Sequence, residues 1–200
     1  SFNIKEYSQE ELEEALKDVD VIHLCGIALT TSNISKQNVI KLVEASRTKG
    51  IKIIFDCNVR PSLVKNKDIK KDYEKVLKHA DIVFGSRYDA VNFLGYEADN
   101  LELFKAFKAK YQLELFLGTH KHDEQYQGFI MSADGYVLSS MYEIKDVLDP
   151  VGTGDAYAAR AIAGILKQEP LHEIVERASM SGVLSHSLQG DKCLVSEEMI

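Results

Sequence analysis

The stretch Gly152-Thr153-Gly154-Asp155 combines residue types that could do chemistry. Glycines let a backbone turn tightly and aim successive N–H groups at one point. The small-residue run from Ala156 to Leu166 reads as a helix, whose N-terminus adds partial positive charge behind the turn. Together these form an anion site. Such a site suits a phosphoryl group in transfer, where catalysis is mostly positioning and charge stabilisation. Asp155 falls in the first helical turn, where a carboxylate is favoured in its ionised form and can accept a proton. It would be a weak base, which a loose transition state tolerates. The structural alternative is that Asp155 caps the helix and the glycines only turn the chain. Two other nucleotide motifs are excluded. No GxxxxGK[ST] occurs. The run from Gly152 to Tyr157 begins like GxGxxG but places Tyr157 where the third glycine belongs.

These residues need a scaffold, and the sequence spells one out. Ser8-Gln-Glu-Glu11 is a capping box that predicts a short helix through Leu12 and Leu16. A strand is predicted from Val19 to Cys25, and a helix capped by Ser35 and stopped at Gly50 follows. Next come a strand over Ile51 to Phe55, a loop from Asp56 to Pro61 and a helix from Ile69 to His79. Strand Ile82 to Phe84 leads to a helix capped by Ser86 and ended by Gly95. A helix from Leu101 to Tyr111 then precedes strand Leu113 to Leu117. Alternating strands and helices indicate a parallel sheet covered on both faces. The pattern changes after Gly118, where Gly128–Met131 and Tyr136–Ser139 flank Ala-Asp-Gly135 as a hairpin. A final helix is predicted from Leu171 to Leu188. There is no internal repeat or linker, so residues 1–200 are expected to form one α/β domain.

Composition narrows the function classes. Apolar residues make up 45% of the 200, enough for a sizeable core. The formal net charge of -7 disfavours nucleic acid as a partner. The basic stretch Lys65 to Lys71 contains Asp68 and reads as a solvated face. Cys25, Cys57 and Cys193 are odd in number and widely spaced, which argues against a disulfide framework or structural zinc and suits a reducing cytoplasm. No apolar run approaches the ~20 residues of a membrane span. His120 and His122 lie on a polar stretch and read as solvated rather than metal-bound.

Asp149-Pro-Val-Gly-Thr-Gly-Asp155-Ala-Tyr-Ala-Ala resembles the C-terminal signature D-T-x-G-A-G-D-x-F of the PfkB (ribokinase-type) carbohydrate kinases. The resemblance implies a ribokinase-like three-layer α/β/α fold, with Gly152, Thr153 and Gly154 as the anion hole and Asp155 as the catalytic base. ATP and Mg2+ are the implied cofactors, and a small-molecule sugar or sugar acid the implied partner. Phe55-Asp56-Cys-Asn58-Val-Arg60-Pro-Ser-Leu63 is similar to the D-x-N-x-R-x-x-L stretch of the 2-keto-3-deoxygluconate kinase branch. There the resemblance makes Arg60, with Asn58, a sugar-acid contact, since a guanidinium forks onto a carboxylate. An ion pair with Asp56 is its alternative role. Val21 to Ile27 and Gln189-Gly190-Asp191 resemble flanking pieces of the branch. Ser86-Arg-Tyr-Asp89 stands where the family commonly has N-x-x-E, which implies Ser86 at the nucleotide and Asp89 at the metal. The alternatives are a helix cap for Ser86 and a solvated face for Asp89. Gly118, Thr119 and Lys121 fall where the family has a Gly-x-x-Gly-type nucleotide turn, with Lys121 replacing the second glycine. The family begins with a region that this chain lacks, which supplies a β-sheet lid and sugar contacts. The chain is therefore expected to be the C-terminal part of a longer kinase. The expected activity is phosphorylation of 2-keto-3-deoxygluconate or a related sugar acid in the cytoplasm, with a homodimer left open. A neutral-sugar kinase of fructose or ribose type, and a degenerate binding protein without turnover, are the alternatives.

Overall fold

The computed structural model describes residues 2–60, 69–122, 124–145 and 147–190. Pro61, Ser62 and Leu63, the Lys65–Asp68 part of the basic stretch, Asp191 and Cys193 lie outside the described residues. The chain divides into two compact units, Ser1–Phe116 and Leu117–Ile200.

The first unit is a parallel βα arrangement. Helix α1 (Gln9–Ala15) starts at the predicted capping box, with Ser8 and Glu11 each closing on the other's backbone N–H. Strand β1 (Val21–Cys25) leads to a short helix α2 (Ala28–Thr31), which the sequence reading missed, and then to α3 (Asn33–Thr48). The cap of α3 is Ser32, not Ser35. The Ser32 side chain accepts from the Ser35 N–H, while Ser35 is buried and its hydroxyl donates to the Ala28 carbonyl at 2.7 Å. Two serines three residues apart offer the same local signal, and only the packing of α2 separates them. Strand β2 (Lys52–Asp56) pairs in parallel with β1 through Val21↔Lys52 and with β3 (Ile82–Phe84) through Ile54↔Ile82. Helices α4 (Lys70–Leu77), α5 (Arg87–Leu94) and α6 (Asn100–Tyr111) complete the unit. Gly95 ends α5 in the left-handed region, φ 84°, as its position predicted. The core is a chain of rings: Phe55 meets Tyr73 edge-on, Tyr73 stacks on Phe93, and Phe107 packs on Phe116 at 4.5 Å between centroids. Each fully buried phenylalanine contributes about 2–3 kcal/mol through area removed from water.

The second unit carries the hairpins. Strand β4 (Leu115–His122) begins at the boundary and neighbours β5 (Gln125–Met131), which pairs antiparallel with β6 (Tyr136–Leu138) and β7 (Tyr142–Glu143). The sequence predicts that this strand ends at Leu117 and that Gly118–Lys121 form a turn. Instead these residues continue the strand. Their polar side chains gave no apolar run, yet the neighbouring β5 supplies backbone partners, and the His120 ring stacks on Phe129 with centroids 4.9 Å apart. His120 also hydrogen-bonds the Tyr136 hydroxyl at 2.7 Å, so it is a packing residue of the hairpin and not a solvated one. Helices α7 (Thr153–Leu166) and α8 (Leu171–Ser185) pack against each other and on β5. Glycine is required at two contacts: a Cβ on Gly128 would meet Ser179 Oγ at 2.2 Å, and one on Gly182 would meet the Tyr126 hydroxyl at 2.2 Å. Among the described residues, no helix is long and apolar enough to cross a membrane.

Candidate active site

The glycine turn has the predicted form. Gly152 is the N-cap of α7 at φ 82°, a left-handed conformation that a side chain would strain. Among the described residues, no side chain caps the helix. Asp155 is not observed to cap the helix, and the first-turn N–H groups, which lack intrahelical partners, receive no side-chain cap from a described residue. Asp155 is the third helical residue and exposed. A Cβ built on Gly154 would meet nothing within 4 Å, so the space over the turn is open. The approach to the turn is tied down. Asp149 accepts from the N–H groups of Val151 at 2.9 Å and Gly190 at 3.2 Å. The His186 carbonyl accepts from the N–H groups of Leu148 at 2.9 Å and Asp149 at 3.3 Å.

Lys121 reaches this turn from β4. Its Nζ donates to Thr153 Oγ1 at 3.3 Å and lies 3.2 Å from His186 Nε2 and 5.5 Å from the centroid of the Tyr126 ring. His186 is buried, and its Nδ1 donates to the Gly182 carbonyl at 2.8 Å. The proton on Nδ1 leaves Nε2 as the acceptor for the lysine. Burial lowers the pKa of both groups, and the neighbouring lysine lowers that of His186 further. Lys121 and His186 share a cavity of about 600 Å³ with the apolar Ile144, Val147 and Pro150 and with the acidic Glu124 and Glu143. That size is in the range of small-molecule sites. The sequence gives no signal for His186, which falls inside the predicted helix Leu171–Leu188 and is in fact its C-cap.

Asn58, Arg60, Ser86 and Asp89 lie just past strand ends of the first unit. Asn58 takes the left-handed region at φ 37°, donates its N–H to Asp56 at 3.0 Å and turns its amide toward Cys25 Sγ at 3.5 Å. Arg60 is exposed and forms no ion pair with a described residue, so the pairing with Asp56 is not observed. Ser86 and Asp89 form a reciprocal capping box, with Asp89 Oδ2 accepting from the Ser86 N–H and hydroxyl, each at 2.7 Å. Asp89 is buried, which corrects the solvated-face alternative; burial raises its pKa although the Ser86 bonds oppose this. Tyr73, also missed, is fully buried with a hydroxyl that has no hydrogen-bond partner among the described residues, and a Cβ on Gly26 would come within 2.6 Å of it. Gly118 and Thr119 lie within β4. No three His, Cys, Asp or Glu side chains converge on a metal position among the described residues.

The pfkB family carbohydrate kinase profile matches residues 2–194. The chain belongs to the PfkB carbohydrate kinase family. It is similar to a crystal structure from Enterococcus faecalis provisionally assigned as a 2-keto-3-deoxygluconate kinase, with 33% identity and a TM-score of 0.86 over 96% of this chain and 61% of that one. The 2-dehydro-3-deoxygluconokinase of Thermotoga maritima shares the fold, with a TM-score of 0.88 at 20% identity, over 98% of this chain and 64% of that one. Among curated relatives, a 5-dehydro-2-deoxygluconokinase of Clostridium botulinum (strain Alaska E43 / Type E3) is 30% identical over 200 residues, 92% of this chain and 56% of its own length. The chain thus spans a little over half the length of the curated relatives it matches. The fold is the ribokinase-like α/β arrangement, with a mixed, mostly parallel sheet.

Proposed function

We propose that the protein carrying this chain phosphorylates a sugar acid, 2-keto-3-deoxygluconate or a close relative, with ATP as donor, and works as a cytoplasmic enzyme. The observation that carries the reading is the N-terminus of α7, which no described side chain caps, with open space over Gly154 and an Asp155 carboxylate without a described partner in the same turn. The backbone N–H groups of Thr153, Gly154 and Asp155 would receive the phosphate oxygens, and the helix N-terminus favours the negative charge gathered there. Asp155 makes no hydrogen bond or ion pair with a described residue, so its carboxylate is available to accept the proton of the attacking hydroxyl. Lys121 would add a cationic donor beside Thr153. This weakens the degenerate-protein alternative, which rested on Lys121 replacing a glycine. Ser86, Gly118 and Thr119 would lie on the nucleotide side. Asp89 would stand behind Mg2+, which supplies charge neutralisation to the phosphates when bound. Arg60, unpaired by any described carboxylate, would grip the substrate carboxylate, with Asn58 beside it.

Two of the relatives carry sugar-acid names, which supports the substrate class. The test is ADP release by the full-length protein across a panel of sugar acids, fructose and ribose, run beside Asp155→Asn. Turnover should be greatest with a sugar acid, and the variant should lose ~10²–10⁴-fold in kcat at near-parental ATP affinity. Equal kcat in the two proteins would remove Asp155 from the mechanism, and a preference for fructose or ribose would replace the sugar-acid reading.

A further inference from the structure

Among the described residues, the Lys121 ammonium is held by neutral groups. Its neighbours are the Thr153 hydroxyl, His186 Nε2 and the Tyr126 ring face, and no described carboxylate pairs with it. The chain has 31 Asp and Glu residues against 24 Lys and Arg, yet no described carboxylate pairs with this lysine. A carboxylate would neutralise the ammonium. A neutral imidazole fixes its position and leaves its charge available to an incoming anion. Two of the three N–H donors are occupied by these contacts, and the side chain borders the cavity that also contains His186.

We propose that His186 is a positioning residue which, as a neutral acceptor at Nε2, holds Lys121 against the glycine turn so that the lysine binds a polyphosphate arriving there. His186 is suited to the task twice over. Its carbonyl anchors Leu148 and Asp149, which lead into the turn, and its ring orientation is fixed by the Nδ1 bond to Gly182. Gly182 cannot carry a side chain without striking Tyr126, so that anchor is itself rigid. The same residue therefore sets both the entry to the turn and the cation beside it. Glu124, Glu143 and Lys145 also face the cavity, and Lys145 pairs with Glu143 at 2.8 Å. With Lys145 paired to Glu143, Lys121 and Glu124 are the remaining charges on the cavity wall, so a cation at the turn depends on Lys121 being held inward.

The inference rests on the kinase reading for its choice of anion, and the test separates the two. Tripolyphosphate and ATP affinities are measured by calorimetry on the full-length parent, Lys121→Met, His186→Asn, His186→Gln and the Lys121→Met/His186→Asn double variant. Asparagine can still donate to the Gly182 carbonyl but is too short to reach Lys121, whereas glutamine can place an oxygen near the Nε2 position. Lys121→Met and His186→Asn should each weaken tripolyphosphate by about tenfold, with His186→Gln within about threefold of the parent and the double variant no weaker than Lys121→Met. Parental affinity in Lys121→Met or His186→Asn, losses that add in the double variant, or a glutamine variant as weak as the asparagine one overturns the proposal. If the asparagine variant does not fold, His186→Gln against Lys121→Met decides on the same criterion. A parent that binds tripolyphosphate but releases no ADP with any sugar refutes the kinase reading while the variant series still judges His186.

Discussion

Asp155 and Arg60 are both exposed side chains without a described partner, and they show how much a single residue's role depends on what is absent around it. A carboxylate in a first helical turn is often a cap. Here the cap position is Gly152, and the Asp155 carboxylate meets no described partner. Arg60 is likewise free of the ion pair that Asp56 could have offered, so its guanidinium can serve a ligand. Removing a bidentate clamp leaves the ligand carboxylate poorly paired, at a cost of about 2–5 kcal/mol if the site is desolvated. Arg60→Leu should therefore raise KM for an acid sugar far more than for a neutral one. Steady-state kinetics with a matched acid and neutral pair will check this; an equal rise in both would return Arg60 to a structural role.

At the scale of elements, the glycine turn is positioned by contacts that allow almost no added volume. Helix α8 approaches β5 so closely that Gly182 lies under the Tyr126 hydroxyl, and its hypothetical Cβ would also come 3.3 Å from the Thr153 carbonyl. Tyr126 is fully buried and cannot swing into solvent. Gly182→Ala should cost about 1–3 kcal/mol as overpacking, offset slightly by the better helix propensity of alanine. The strain would be transmitted to Thr153 and to the Nδ1 anchor of His186, so tripolyphosphate binding should weaken along with thermal stability. Calorimetric melting and binding of the same sample test the link. A stable variant with parental binding would show that the helix can shift without disturbing the turn.

For the whole molecule, the pKa shifts predict how stability falls in acid. The folded pKa of His186 is below its ordinary 6.5, because of burial first and Lys121 also. The unfolded chain therefore takes up this proton before the native one does, and its contribution is present above pH 6.5 and lost as pH falls below it. Asp72 and Glu176 act lower. Burial pushes each up, but the bonds from Lys36 and Lys75 to Asp72, and from Tyr142 and Ser140 to Glu176, reverse this to a net lowering. Their contributions are present above the unfolded values of 3.8 and 4.5 and are lost as pH falls through the folded ones. Asp89 opposes them: burial raises its folded pKa, so protonation near and above 3.8 favours the native state. Melting temperatures should thus decline in two stages on acidification, and His186→Gln should lack the first. A variant that keeps the decline just below pH 6.5 would assign that stage elsewhere.

The sequence by itself determined the alternating βα order, the Ser8 and Ser86 caps, the end of α5 at Gly95 and the glycine turn before α7. Each of these is local: a cap or a left-handed glycine is decided within a few residues, and apolar periodicity declares which segments are buried. The family resemblance then rested on the Gly152–Asp155 stretch and its neighbours. Tertiary structure decided what depended on partners far along the chain. It chose Ser32 over Ser35 through the packing of α2, and it extended β4 through Lys121 because β5 supplied hydrogen bonds that no apolar run announces. It buried Asp89 behind Ser86. It also brought Lys121 and His186, 65 residues apart, to within 3.2 Å of each other. No spacing in a linear sequence encodes that contact, because it arises from a hairpin strand and a helix end meeting at Thr153.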